Sequence, residues 1–221
     1  MERKRKWMMA GVVLTAVILF AFVFSWWWYS AYTADYRFTS EEGYDHALNK
    51  AREWNDDAFI VGLSSREAKG LDGRNDLWTY IFDSPSTATN ASEGENDDRP
   101  WRVDRLVVEV TKDGNGFHSK TTLSYQLYST PNISSEDYGS NMALGSEDVA
   151  KLASKTDDYA NLTKRSGTVW VDYRLNRNYW TLDISDVRDS PHLNQGLMIV
   201  VRIYPDSGRV VSYTEDMELI D

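Results

Sequence analysis

The sequence predicts an α+β protein: one N-terminal transmembrane helix followed by two helix-plus-antiparallel-sheet units. Three observations predict it. An uncharged apolar run covers 7–29 behind a basic start, an amphipathic helix then precedes four strand-like segments, and the second half repeats that order. The predicted division is a cytoplasmic basic tail over 1–6, a transmembrane helix over 7–29, a linker over 30–38, a first unit over 39–130, a linker over 131–145 and a second unit over 146–221.

The run WMMAGVVLTAVILFAFVFSWWWY would form a helix of about 34 Å, enough to cross a hydrocarbon layer of about 30 Å. Arg3, Lys4, Arg5 and Lys6 precede it, while Asp35, Glu41, Glu42 and Asp45 follow it. That asymmetry predicts a single-pass cell-membrane protein with its N-terminus cytoplasmic and its C-terminal region extracellular. Trp26, Trp27, Trp28 and Tyr29 would sit at the headgroup level. A cleaved signal peptide is the rival reading, but it would end in small residues where these tryptophans stand.

The chain has no cysteine, which excludes disulfides, thiolate metal sites and a lipoprotein anchor together. Setting aside the four basic residues of the start and Glu2, the 24 Lys+Arg and 34 Asp+Glu become 20 and 33, a net charge of −13. Nucleic acid is therefore not expected as a partner. The acceptor sequons Asn90-Ala-Ser, Asn132-Ile-Ser and Asn161-Leu-Thr agree with an exported body and make it a glycoprotein candidate.

Thr39 with Glu42 forms a capping box, and Tyr44, Ala47, Leu48, Ala51 and Trp54 follow at helical spacing. Strands are then expected over 58–63, 77–82, 103–111 and 121–128. The last alternates Leu123, Tyr125 and Leu127 against Thr122, Ser124 and Gln126. In the second half Ser146 is the expected N-cap, with Glu147 and Asp148 in the first turn and Val149, Leu152 and Ala153 on one face. Strands follow over 168–175, 179–184, 197–204 and 209–213, the last two joined by a turn at Pro205-Asp-Ser-Gly208. Each half also places its longest polar connection between its second and third strands, so the pattern reads as an internal repeat.

In the second unit EDVAKLASKTDDYAN, WTLDI and MIVVRIYPDSGRVVSY resemble a PepSY-type domain, a small helix-plus-antiparallel-sheet module of exported proteins with a cystatin-like form. DHALNKAREWNDDAFIV, LWTYIF and VVEVTKDGNG in the first unit look like a weaker copy, with a longer turn at Asp113-Gly-Asn-Gly116. The resemblance implies an extracytoplasmic domain associated with the regulation of peptidases or with ligands near the cell surface. It implies no catalytic residue.

The chain shows no arranged chemistry. His46, His118 and His192 are scattered and lack the i, i+4 spacing of a zinc helix. Asp56-Asp57, Asp97-Asp98 and Asp157-Asp158 read as solvated turn and helix-end residues rather than acid/base pairs or calcium ligands. Asp113-Gly-Asn115-Gly-Phe117 lacks the closing Glu of a calcium loop and reads as a hairpin. Among Trp54, Trp78, Trp101, Trp170 and Trp180, Trp101 and Trp170 are the expected exposed rings and the others core.

No catalytic, cofactor-binding or metal residue is therefore nominated, no cofactor is expected, and the chain is read as no enzyme. The expected function is a membrane-tethered binding or regulatory module acting on peptidases or cell-surface ligands. The expected partners are the membrane and an unidentified protein, peptide or cell-envelope component. The alternative is an assembly subunit of an envelope or membrane complex.

Overall fold

The computed structural model describes residues 20, 23–25, 35–90, 100–129, 144–176, 179–186 and 196–217. The chain divides into two compact units, Met1–Tyr36 and Arg37–Asp221. In the first, Phe20 and 23–25 are helical, and the Phe20 and Phe24 rings stack with centroids 6.3 Å apart. The basic tail and most of 7–29 lie outside the described residues, as does most of the expected linker over 131–145. Among the described residues no helix is long and apolar enough to cross a membrane. The transmembrane helix of the expected fold class, and the membrane character built on it, are corrected accordingly: a crossing needs about 20 consecutive apolar helical residues, and the longest described helix, Ser40–Trp54, has 15 residues and a polar face.

The second unit begins with β1 (Phe38–Thr39), α1 (Ser40–Trp54), β2 (Phe59–Lys69), β3 (Arg74–Asn75) and β4 (Leu77–Asp83). After a 3₁₀ turn at Pro85–Thr87 come β5 (Thr89–Asn90), β6 (Trp101–Asp113) and β7 (Gly116–Tyr128). The second half contributes α2 (Ser146–Ala153), α3 (Asp157–Arg165), β8 (Trp170–Leu175), β9 (Trp180–Ser185), β10 (Gly196–Tyr204) and β11 (Arg209–Met217). The capping box is formed, with Thr39 Oγ1 accepting from the Glu42 amide at 3.2 Å. The single second helix is replaced by two. Ser146 is the first helical residue rather than the cap, and Thr156 caps a separate α3 by accepting from the Tyr159 amide.

Two separate helix-plus-sheet units are not what forms. The eight long strands run β11-β10-β9-β8-β2-β4-β6-β7 in one antiparallel sheet, with the two-residue β5 also paired to β6. The halves meet where β2 pairs β8, from Leu63 opposite Leu175 to Lys69 opposite Trp170. The physical reason is the strand edge: the first strand of each meander would otherwise present a row of unpaired N–H and C=O groups. Pairing these two edges satisfies both rows and fuses the halves.

The helices α1, α2 and α3 cover one face of this sheet. Trp78, Tyr80, Phe82, Leu106, Val108 and Val110 from the first half share one core with Val171, Tyr173, Trp180, Leu182, Ile184, Ile199, Val201 and Ile203 from the second. Ser40, Gly43, Ala47 and Ala51 form the buried stripe of α1, and these small residues let the helix lie close to the large rings. A Cβ on Gly43 would come within 2.5 Å of the Tyr80 hydroxyl. Phe38, expected in a linker, is fully buried in this core.

The halves are also joined at their helix starts. The Ser40 amide donates to Ser146 Oγ at 2.9 Å, and the Ser146 amide donates to Ser40 Oγ at 3.2 Å. Glu41 lays its carboxylate across the start of α2, accepting from the Ser146 amide at 3.1 Å, where helix N–H groups favour an anion. The two buried indoles occupy matching places: Trp78 Nε1 donates to the Phe38 carbonyl at 2.8 Å and Trp180 Nε1 to the Leu144 carbonyl at 3.1 Å. Each acceptor lies two residues before the first helical residue of its half.

Two buried phenols give this core a pH signature. Tyr80 donates to the Ser40 carbonyl at 2.6 Å, and Tyr173 Oη accepts from the Gly73 amide at 3.1 Å. Burial, then the nearby Glu41 and Glu42 charges, pushes the Tyr80 phenol well above its ordinary value; burial does the same at Tyr173, against the Gly73 hydrogen bond. Above about pH 10 the unfolded chain releases these protons while the folded chain keeps them, so stability falls as pH rises further. Each phenol contributes a slope of up to about 1.4 kcal/mol per pH unit. Urea titrations between neutral and strongly alkaline pH should show this decline, and Tyr173→Phe should flatten it. An unchanged slope in that variant would refute the assignment.

Candidate functional site

Strand alternation sends a second set of side chains to the opposite face, which no described helix covers. In the first half this face carries Asp83, Arg105, Gln126 and Tyr128. Asp83 is fully buried, and Arg105 grips it with both arms, Nε to Oδ1 at 2.6 Å and Nη2 to Oδ2 at 2.9 Å. Tyr128 donates to the same carboxylate, and Arg105 Nη1 donates to Gln126 at 3.1 Å. Burial works to lower the Arg105 pKa, but the hydrogen bond and charge of Asp83 outweigh it and hold the guanidinium above its ordinary value. A bidentate pair so engaged is a structural clasp rather than a free binding group.

The second half of this face differs. Arg202 on β10 has Tyr179 and Tyr213 on its flanks, with its guanidinium carbon 5.7 and 5.6 Å from the ring centroids, and its Nη2 donates to the Tyr213 hydroxyl at 3.3 Å. Tyr179 continues to Tyr204 at 5.6 Å, and Arg209 lies over the Tyr204 ring at 4.4 Å. The β10–β11 register builds the row: Arg209 is opposite Tyr204, and Val211 is opposite Arg202. The turn expected at Pro205-Asp-Ser-Gly208 brings these strands together, with the Gly208 amide donating to the Tyr204 carbonyl at 2.9 Å. Beneath the row Ile199, Val201 and Ile203 are buried in the core and hold β10 rigid.

Among the described residues neither Arg202 nor Arg209 forms an ion pair with a carboxylate; Arg174 on the same face is paired to Asp183. Arg202 Nε is buried and has no hydrogen-bond partner there. Guanidinium groups held on aromatic rings retain donors for carboxylates and flat surface for stacking. The row has the chemistry of recognition.

The residues weighed for chemistry in the sequence are not gathered here. Among the described residues no group of three or more His, Cys, Asp or Glu could hold a metal ion. His46 lies on α1 with its ring 6.0 Å from Phe117, while His118 meets Asp113 at 2.9 Å across the β6–β7 hairpin. The His118 hydrogen bond, then the Asn115 amide, holds the exposed Asp113 carboxyl below its ordinary range. His192 and Asp97-Asp98 lie outside the described residues. Asp57 accepts from the Ser84 and Ser86 hydroxyls and the Ser86 amide, and Asp158 ties α3 to Ser212 and Thr214.

Trp78 and Trp180 are buried as expected, whereas Trp101 and Trp170 are half-buried. Sequence reasoning missed Arg202, Tyr204 and Tyr213 because it followed tryptophans. The signal was present in the alternation of Arg202 and Tyr204 with Val201 and Ile203.

No protein family, curated protein or solved structure matches the chain. The PepSY-type likeness therefore rests on the short segments that suggested it, and the single continuous sheet differs from the separate units it implied.

Proposed function

We propose that the protein is a non-catalytic binding module, working on the outer side of the cell, that holds an acidic protein or peptide segment against the open face of its sheet. The observation that carries this reading is the row Arg209–Tyr204–Tyr179–Arg202–Tyr213, with two guanidinium groups that find no carboxylate among the described residues of a chain whose net charge is −10. Tyrosine and arginine on a rigid surface are the residue types that dominate protein-recognition hot spots. The three acceptor sequons of the sequence support the exported side.

The test is photo-crosslinking in the native cell, with a photoreactive residue replacing Val211, which is exposed and opposite Arg202. A discrete protein adduct is expected, weakened about tenfold by the pair Arg202→Ala and Arg209→Ala, in line with the loss of a hot-spot side chain. No adduct, or one indifferent to both arginines, would sink the reading.

A further inference from the structure

The helix-covered face has its own irregularity at the β7 edge. Among the described residues β7 pairs only with β6, in an unbroken register from Trp101 opposite Tyr128 to Asp113 opposite Gly116. Of the usual protections of an edge the strand keeps only Lys120, near its start; it has no proline, no bulge and no acidic residue. At its start α1 and β1 cover it, with Phe38 5.1 Å and His46 6.0 Å from the Phe117 ring. Further along, no described helix or strand covers it. Leu123, Tyr125 and Leu127 stand 66, 54 and 47 % exposed in a row beside buried Leu106, on the face where an apolar side chain would ordinarily be covered.

We propose that this edge is covered by a second copy of the same chain, through antiparallel pairing of β7 with β7 about a two-fold axis at Tyr125. The sequence of the strand is self-complementary about that residue: Leu123 of one copy stands opposite Leu127 of the other, and Tyr125 opposite Tyr125. Directly opposed residues share a face, so six apolar side chains meet in one patch while Ser124 and Gln126 meet on the other side.

Charge selects the same occupant. Two chains of net charge −10 repel, and β7, which carries no carboxylate, is where they can approach without opposing acids. The adjacent Arg102 and Asp104 pair with each other at 3.5 Å, and Arg102 stacks on Tyr125 at 4.5 Å, so the rim is neutral. An acidic peptide strand would find no unpaired cation beside Tyr125; a second neutral edge fits.

The absence of cysteine makes the test direct. In the full-length chain carrying Tyr125→Cys, the two introduced thiols would face each other with Cα atoms about 4.5–5.5 Å apart, within disulfide range. Mild oxidation should yield a disulfide-linked dimer. Lys120→Cys, whose two copies would be about 34 Å apart in this register, should not. Sedimentation of the unmodified chain should show a dimer, and Tyr125→Asp, which sets two carboxylates face to face, should weaken it at least about tenfold with unchanged circular dichroism.

A monomeric unmodified chain overturns the proposal. So does a dimer that survives Tyr125→Asp, as association through the apolar N-terminal run would, or one that crosslinks equally at 120 and 125. Loss of the dimer with the Val211 adduct retained would separate this interface from the arginine–tyrosine row.

Discussion

Trp180→Ala is expected to destabilise the fold by about 3–5 kcal/mol, the cost of emptying a fully buried indole site in a packed core. Trp180 belongs to the shared core, opposite Leu175 and Ile203 on the neighbouring strands, and its Nε1 also anchors the Leu144 carbonyl just before α2. Removing it opens a cavity and takes away that carbonyl's donor in the same step, so the loss should exceed that of an apolar truncation of similar volume. Against a total stability of about 5–15 kcal/mol this is enough to leave a large fraction of the chain unfolded at moderate urea. Trp78→Ala should behave alike, because its indole holds the Phe38 carbonyl before α1 in the same way. Trp101→Ala and Trp170→Ala, at half-buried positions, should cost much less. Urea midpoints for the four variants would check this, and equal losses at all four would contradict the placement of the two indoles.

Gly73→Ala is expected to cost about 2–5 kcal/mol, and its reason is backbone rather than cavity. Gly73 has a φ of +77°, and a Cβ there would lie 2.6 Å from the backbone of Ser146 and Glu147. The crowded atoms belong to the first turn of α2 and cannot rotate away as a side-chain tip could. That turn is already fixed by Ser146 Oγ donating to the Gly73 carbonyl at 2.6 Å and by Arg74 against Glu147 at 3.4 Å. Gly70→Ala supplies the control. Its φ is +86°, but no heavy atom lies within 4 Å of the added carbon, so only the conformational strain of about 1–2 kcal/mol applies. A Gly73 variant no worse than the Gly70 variant would mean that α2 does not pack against this loop.

Much of the local structure was legible because it depends on neighbours in sequence. The capping box at Thr39, the alternation of Leu123, Tyr125 and Leu127, and the hairpins at Asp113–Gly116 and Tyr204–Arg209 are determined by short-range sterics and hydrogen bonding. The break between α2 and α3 was missed because apolar spacing alone did not mark Thr156, whose side chain caps the second helix. The arginine–tyrosine row was hidden for another reason. Arg202 and Tyr204 lie close together in β10, but Tyr179 reaches them from the residue before β9 and Tyr213 from β11, and only the tertiary contacts show that the four share one site.

The expected fold class did not hold, since the described residues are mostly one antiparallel sheet with few helices; what the sequence determined by itself is that helix precedes the long strands in each half and that no cysteine chemistry enters. Those are consequences of periodicity, capping and composition. Only the tertiary structure decided that the halves form one sheet rather than two units, that Ser40 and Ser146 clasp each other, and that α1, α2 and α3 all lie on the same face of it. These outcomes turn on which strand edges satisfy each other's hydrogen bonds and which helix starts meet across 106 residues of chain, and no local pattern carries that information.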